Sequence, residues 1–482
     1  MRTRTMSHMT KYLSIGFLLT LLALSSCAPR LQMREASKKL PDLYRKSTTD
    51  TMNTGRVKWQ AFFKDPDLSA LIDTALHNNQ ELNITLQEIQ VARAEVRARK
   101  GEYLPFVGLG AGAMVEKVGR NTRNGAVEES LNIAEDVKFP EPLPDYFLGL
   151  HATWEIDIWK KLRNAKKSAF MRYMSSVEGK NFLVTNLIAE IADTYYELLA
   201  LDNQLMFVQQ NIEIQSNALE VVRVQKAAAR VTELAVRRFE AEVFHTRSLQ
   251  FDIQQRIIET ENHLNFLVGR FPQSISRNAD AFAKLVPDTL FDGLPVQLLE
   301  NRTDVKQAEL DLMAAKLDVK VAKARFYPSL GISAGVGLQA FNPTYLFKTP
   351  AALLYSLTGD LVQPLINRNA IKAMYLGASA KQMQAVYNYE RTLLNAYIEV
   401  DNQFAKVGNM RASYDLKSQR VDALAESVTI STNLFRSARA DYMEVLLTQR
   451  DALESRIELM DTQKERLNAM VDMYRALGGG WR

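Results

Sequence analysis

A run of apolar residues spaced seven apart constrains this chain more than any other feature. Phe170, Val177, Val184, Ile191, Leu198, Leu205, Ile212 and Leu219 hold that spacing, and Tyr173, Leu187, Leu201, Val208 and Val222 lie three residues after members of the series. From Lys160 to about Ala228 there is no proline, and the only glycine is Gly179. A strict heptad kept over so many turns specifies one supercoiling helix with a narrow seam. At 1.5 Å per residue such a helix reaches on the order of 100 Å. A rod of that length with an apolar seam is stable only beside neighbours of similar length. The chain, or further copies of it, must supply them.

The chain supplies some of them by repeating itself. Asp65-Pro66 starts a helix expected from about Leu68 to Lys100. Val107, Leu109, Ala111, Ala113 and Val115 then alternate with Gly108, Gly110, Gly112 and Met114, the two-residue period of a strand over about 105–116. Residues 116–144, charged and then proline-rich, read as a surface loop. A second strand over about 145–157 puts Tyr146, Leu148, Leu150, Ala152, Trp154 and Ile156 on one face and Gly149, His151, Thr153, Glu155 and Asp157 on the other. Long helices follow over about 160–268, closed by Gly269-Arg270-Phe271-Pro272. After an irregular linker, 273–295, the pattern returns: a helix over 296–325, strands over about 328–340 and 352–363, and long helices over about 369–477. Each half, 57–272 and 296–482, thus reads helix, strand, loop, strand, long helix, long helix.

Strands of about 10 residues with one apolar face match membrane-barrel strands in length and dyad pattern. Four strands cannot close around a usable lumen, and an open edge in lipid leaves backbone groups unpaired. Several copies must then share one barrel. Three copies give twelve strands. The expected fold is mainly α with membrane β: a trimeric 12-stranded β-barrel continuous with an α-helical barrel. The alternative is a soluble sheet of half-buried strands beside an ordinary coiled coil.

The leader supports export. Residues 1–26 have a basic start and an apolar core from Leu13 to Leu24 that is short for a membrane span. Leu24-Ser25-Ser26-Cys27 resembles a bacterial lipobox, which makes Cys27, the only cysteine of the chain, a lipid attachment point. Ala28 after it favours the outer membrane. The other reading is an ordinary signal peptide with an incidental cysteine. No internal disulfide is possible, and residues 27–56 form a polar tether. Setting aside Arg2, Arg4 and Lys11 of the leader lowers the formal charge from +5 to +2, which is no nucleic-acid footprint.

The motifs resemble those of the outer-membrane efflux factor family, the TolC-like channels, and especially its lipoprotein branch. WQAFFKDPDLSALIDTAL, YLPFVGLGAG with FYPSLGISAG, WEIDIWKKLRNA with LVQPLINRNAIKA, NRTDVKQAEL and the terminal LGGGW carry the resemblance over nearly all of 57–482. It implies a homotrimeric passive duct in the outer membrane, with its helical barrel in the periplasm. The duct would dock with a periplasmic adaptor and an inner-membrane pump to export drugs or other toxic compounds. Polypeptide secretion through the same architecture stays open.

In that family the periplasmic end closes where the long helices turn back. Here Phe435 to Leu446 carries Ala438 where glycine is usual and Glu444 where aspartate is common, and Ala229 and Ala235 hold the corresponding places in the first half. Arg439, Asp441 and Glu444, brought together three-fold, form the candidate gate, with a cation-favouring field. The other reading of these charges is a solvated turn. Arg230 and Glu233, at the other turn, are candidates for adaptor contact.

No catalytic machinery is expected. His8, His77, His151, His245 and His263 have no metal-ligand spacing, and no Walker loop, GxSxG or dinucleotide fingerprint is present. The seventeen methionines are dispersed along helical patterns, which reads as simple packing; the alternative reading of them is metal export. The reading is therefore no enzyme, no metal and no cofactor beyond the covalent lipid on Cys27. A lipid-anchored periplasmic adaptor or structural coiled-coil protein is the competing class. An adaptor shows one helical hairpin flanked by β-rich domains, whereas this chain carries two hairpins and two strand pairs.

Overall fold

The computed structural model describes residues 33–44, 53–134, 136–285, 293–366, 368–437 and 439–482, so the leader, Cys27 and Ala438 lie outside the described residues. The chain divides into two compact units, and each draws on both halves of the sequence repeat. One unit takes in the chain through Glu35, Gln90–Tyr173 and Leu310–Tyr387; the other takes in Ala36–Ile89, Met174–Glu309 and Asn388–Arg482. The main helices are α1 (Pro66–Asn78), α2 (Gln80–Tyr103), α3 (Lys161–Ala227), α4 (Glu233–Val268), α5 (Thr303–Ala324), α6 (Asn369–Arg436) and α7 (Tyr442–Ala476). The heptad rod is real: α3 is one helix of 67 residues, and its repeat partner α6 has 68.

The first unit is built on an antiparallel sheet of β1 (Phe106–Glu116), β2 (Leu143–Ile156), β3 (Ser329–Ala340) and β4 (Leu353–Val362), in that order. The register pairs Leu109 with Leu150, Leu150 with Val336, and Val336 with Tyr355. Strand passes into helix at WEIDIW through Asp157. Its buried carboxylate accepts from the Leu162 and Arg163 backbone N–H groups at 3.0 and 2.9 Å, satisfying orphan donors at the start of α3. Trp159 stacks on Tyr327 at 4.7 Å and donates its indole N–H to Pro328 O at 2.8 Å, which ties the end of one strand pair to the start of the next.

The second unit holds the largest apolar core among the described residues. Leu68, Ile72 and Ala75 of α1, Ile191, Tyr195 and Leu198 of α3, Leu264 and Val268 of α4, and Val471 and Tyr474 of α7 meet there. Asp65 caps α1 by accepting from Asp67 and Leu68 N–H at 2.9 and 3.2 Å, and its other oxygen accepts from the Tyr195 hydroxyl at 3.1 Å. Gly269 ends α4 at φ 78, where a Cβ would stand 2.5 Å from Asn78 O; only glycine suits that cap. Near the N-terminus, Ser37 donates its backbone N–H to Glu390 at 3.0 Å, and Tyr44 stacks on Tyr397 at 5.3 Å, so this part of the tether lies along α6.

Some boundaries differ from expectation. The helix expected over Leu68–Lys100 is two helices that break at Asn79. The Asn79 side chain accepts from Leu82 N–H at 2.9 Å and donates to Leu267 O at 2.8 Å, which rewards the break. The helix expected over 296–325 breaks at Arg302, where the buried guanidinium pairs with Asp304 and Glu399, both at 2.7 Å. The loop of 116–144 contains a helix, Arg123–Ser130, capped by the Thr122 hydroxyl accepting from Gly125 N–H at 3.2 Å.

Candidate functional site

The sheet segregates chemistry by face. Paired residues across a ladder share a face, so the register sorts every side chain. Val107, Leu109, Leu148, Leu150, Trp154, Ile332, Val336, Tyr355, Leu357 and Leu361 share one face, on which no charged residue stands. Leu109, Tyr355 and Leu357 are 71%, 82% and 79% exposed, a degree of apolar exposure that suits lipid and not water. The opposite face carries Gly108, Gly110, Gly112, Gly149, Gly331, Gly335 and Gly337 with Thr153, Ser333 and Thr358. Its charged residues are Glu116, Asp145, Glu155 and Asp360, with no lysine or arginine. Phe106, Met114, Phe147, Leu354 and Val362 stand among them on this face; its glycines, hydroxyls and one-sign carboxylates suit a water-filled lumen that favours cations. β1 and β4 are the outer strands, each paired on one side.

The two helical turns close in the same way. Arg230 N–H donates to Gln225 O at 2.9 Å, and Arg439 N–H donates to Leu434 O at 2.8 Å, the long bond of a Schellman cap. Ala229 therefore sits at φ 54, a left-handed position that a side chain strains. Beneath the turns lies one apolar cluster: Leu219, Val222, Ala235, Val236, Phe239, Val243 and Leu446, with Val231, Phe435 and Tyr442 packed against it.

Charge is arranged differently at the two turns. At the first, Glu233 pairs with Lys226 and, at 2.9 Å, with Arg237; Arg237 meets Glu240 at 2.9 Å, and Glu240 meets Arg223 at 2.8 Å. The hydrogen bond from Lys226 holds the Glu233 carboxyl below the usual carboxylate range. Arg230 is exposed just outside this ladder. At the second turn Arg439, Asp441 and Glu444 are all exposed, and among the described residues no ion pair joins them to one another or to anything else. Asp441 occupies the N-cap of α7 without a side-chain capping bond. The structure thus gathers the three gate candidates at one turn with their charges unspent. Sequence reasoning missed the ladder on the first turn and the one-sign charge of the sheet's polar face. The i, i+4 spacing of Glu233 and Arg237 was the visible signal for the ladder.

The profile of a family described as "Outer membrane efflux protein" matches residues 71–270 and 294–479, one match for each half. The pyoverdine export outer membrane protein OpmQ of Pseudomonas putida is 27% identical over 425 residues, 88% of each chain. "Probable outer membrane lipoprotein SilC" of Salmonella typhimurium is 24% identical over 473 residues, 98% of this chain and 99% of the relative. The crystal structure of a membrane protein from Pseudomonas aeruginosa superposes with a TM-score of 0.84 at 24% identity, covering 94% of this chain and 99% of that one. That likeness extends the fold across both halves.

Proposed function

This chain belongs to the outer membrane efflux protein family, and from that premise we propose that three copies close into one passive exit duct. The channel role in efflux follows from the family. The observation that carries the three-copy duct is the four-stranded sheet, with one charge-free apolar face, one glycine- and carboxylate-lined face and two outer strands each lacking a partner on one side. An unpaired edge in lipid is costly, and closing the ring with further copies removes it. Lipid on Cys27 anchors each subunit, a reading supported by the relative named as a lipoprotein.

The helical turns face the periplasmic partners. The exposed Arg230 beside the Glu233 ladder contacts an adaptor, and an inner-membrane pump supplies the energy that the duct lacks. The cargo is small molecules, and no catalytic step is involved. Arg439, Asp441 and Glu444 narrow the pore at the second turn, where unpaired charges repeated around a three-fold axis act on passing ions. Asp441→Asn with Glu444→Gln is expected to change single-channel conductance and lower cation preference; wild-type values in the double variant would remove the gate assignment. Detergent-extracted protein should migrate as a heat-modifiable trimer. A monomer released by a high-salt wash supports the adaptor class instead.

A further inference from the structure

We infer that the helices just below the sheet carry a basic collar that binds the phosphate-bearing headgroups of anionic phospholipids in the periplasmic leaflet. Its members are Arg93, Arg97 and Lys100 of α2 and Lys316, Lys320 and Lys323 of α5. The inference rests on the duct and lipid-anchor readings and adds the class of lipid that the duct recognises.

The collar is written twice in the chain. Tyr103-Leu104-Pro105 follows the first stripe and Phe326-Tyr327-Pro328 the second, and the basic residues stand five, eight and twelve positions before each proline. Spacings of three, four and seven put each trio on one helix face. The acid ten positions before each proline is already engaged: Glu95 pairs with Arg99 at 2.8 Å, and Asp318 pairs with Arg172. Arg93, Arg97, Lys100, Lys320 and Lys323 are exposed, and among the described residues none of them has an ion-pair partner.

The chemistry changes where helix gives way to strand. All four strands join their helices at the same end of the sheet, and none of them contains a lysine or arginine. At 1.5 Å per residue, Lys323, Lys320 and Lys316 stand about 2, 6 and 12 Å from the end of α5. Headgroups add roughly 5 to 8 Å to each side of the hydrocarbon core, so long cationic side chains at the first two levels end among the phosphates. Both stripes and the sheet belong to the first unit.

The tether identifies the side of the duct. Lys316 pairs with Glu35, which stands eight residues after Cys27. An extended chain spans at most about 3.6 Å per residue, so a lipid on Cys27 lies within about 29 Å of that pair. A segment that starts in the leaflet runs outside the duct and not in its lumen. The face of α5 that carries Lys316 is therefore the outer one, and Lys320 and Lys323 continue it toward the sheet. The repeat puts the stripe of α2 on the equivalent face, and three copies display six stripes around the rim. The occupant is lipid because the stripes run into strands whose apolar face meets lipid, and lysine and arginine clusters beside a membrane gather anionic headgroups.

The test uses the full-length protein in phosphatidylcholine vesicles with a trace of spin-labelled phosphatidylglycerol or spin-labelled phosphatidylcholine. Electron paramagnetic resonance reads the share of each label held at the protein surface. The wild type is expected to hold phosphatidylglycerol about threefold over phosphatidylcholine at low salt, and equally in about 1 M salt, where charges are screened within about 3 Å. Arg97→Gln, Lys100→Gln, Lys320→Gln and Lys323→Gln together should abolish the preference. Arg97→Lys, Lys100→Arg, Lys320→Arg and Lys323→Arg together should keep it. The inference is overturned by equal holding in the wild type, by a preference that survives neutralisation or high salt, or by one lost when the charges are kept. Each of these leaves the duct reading standing, provided that unheated samples run as trimers. Wild-type protein that does not enter the vesicles sinks both. Should the neutral variant fail to assemble, the salt dependence of the wild type decides.

Discussion

The Thr246 hydroxyl donates to Gln215 Oε1 at 2.8 Å inside the core of the long helices. Gln215 falls in the seven-residue line of Leu201, Val208 and Val222, is 0% exposed, and has its Nε2 without a partner. Gln449 of α7, also buried, leaves Oε1 without one. This polar layer separates the cluster under the turns from the next cluster, Leu201, Val208, Ile253 and Leu453. A buried polar residue in a seam specifies register at a cost in stability. Gln215→Leu should therefore raise the unfolding free energy followed by helical circular dichroism by about 1 kcal/mol, since the Thr246 hydroxyl then donates to Glu242 O instead. A lower value would show that the amide is stabilising.

Ala229 occupies the left-handed position of the first turn at φ 54. Ala229→Gly relieves that strain and should stabilise the turn by about 1 kcal/mol. A loss of stability in the same unfolding assay would contradict the strained-cap account.

Asp193 of α3 supplies a pH dependence. Burial, reinforced by Asp472, pushes its carboxyl up to about 8, against the opposing pull of Arg475 and Lys406. The folded state then holds a proton that the unfolded chain releases near the ordinary value of 3.8. This contribution to stability is full below that value and is lost as pH rises through about 8. Asp193→Asn should flatten the decline in melting temperature between about pH 4 and 8. An unchanged slope would place the ionised carboxylate in the folded protein.

Gly337 and Gly149 let β2 and β3 approach closely. A Cβ on Gly337 would meet Leu148 O at 2.6 Å and Gly149 Cα at 2.7 Å, both backbone atoms that cannot step aside, whereas one on Gly359 meets nothing within 4 Å. Gly337→Ala should sharply lower the yield of membrane-inserted trimer, and Gly359→Ala should leave it unchanged. Equal yields from the two would refute the close-packing argument.

Much of this architecture is legible in the residues because its periods are long and uninterrupted. The alternation from Tyr146 to Ile156 predicts the face that the register confirms, and the heptads from Val184 to Val222 predict one helix. The gap at Gln215 was visible there as a missing member. What escaped depends on partners far along the chain. Asn79 breaks a helix because Leu267 O receives its amide, and Arg302 breaks another because Glu399 lies against it. Neither partner is inferable from neighbours in sequence. The gate candidates were locatable by the turn, but their unspent charge is a property of folded geometry: Glu233 finds Lys226 and Arg237, while Glu444 finds no counterion among the described residues.

Single-channel recording of the purified full-length protein in a planar lipid bilayer tests the hollow-duct claim most directly. A hollow duct gives discrete water-filled conductance with a reversal potential favouring cations, and a weaker preference when Asp145→Asn and Asp360→Asn thin the carboxylates on the polar face of the sheet. Protein that runs as a trimer yet passes no current, or whose ion preference is indifferent to those two carboxylates, would contradict it.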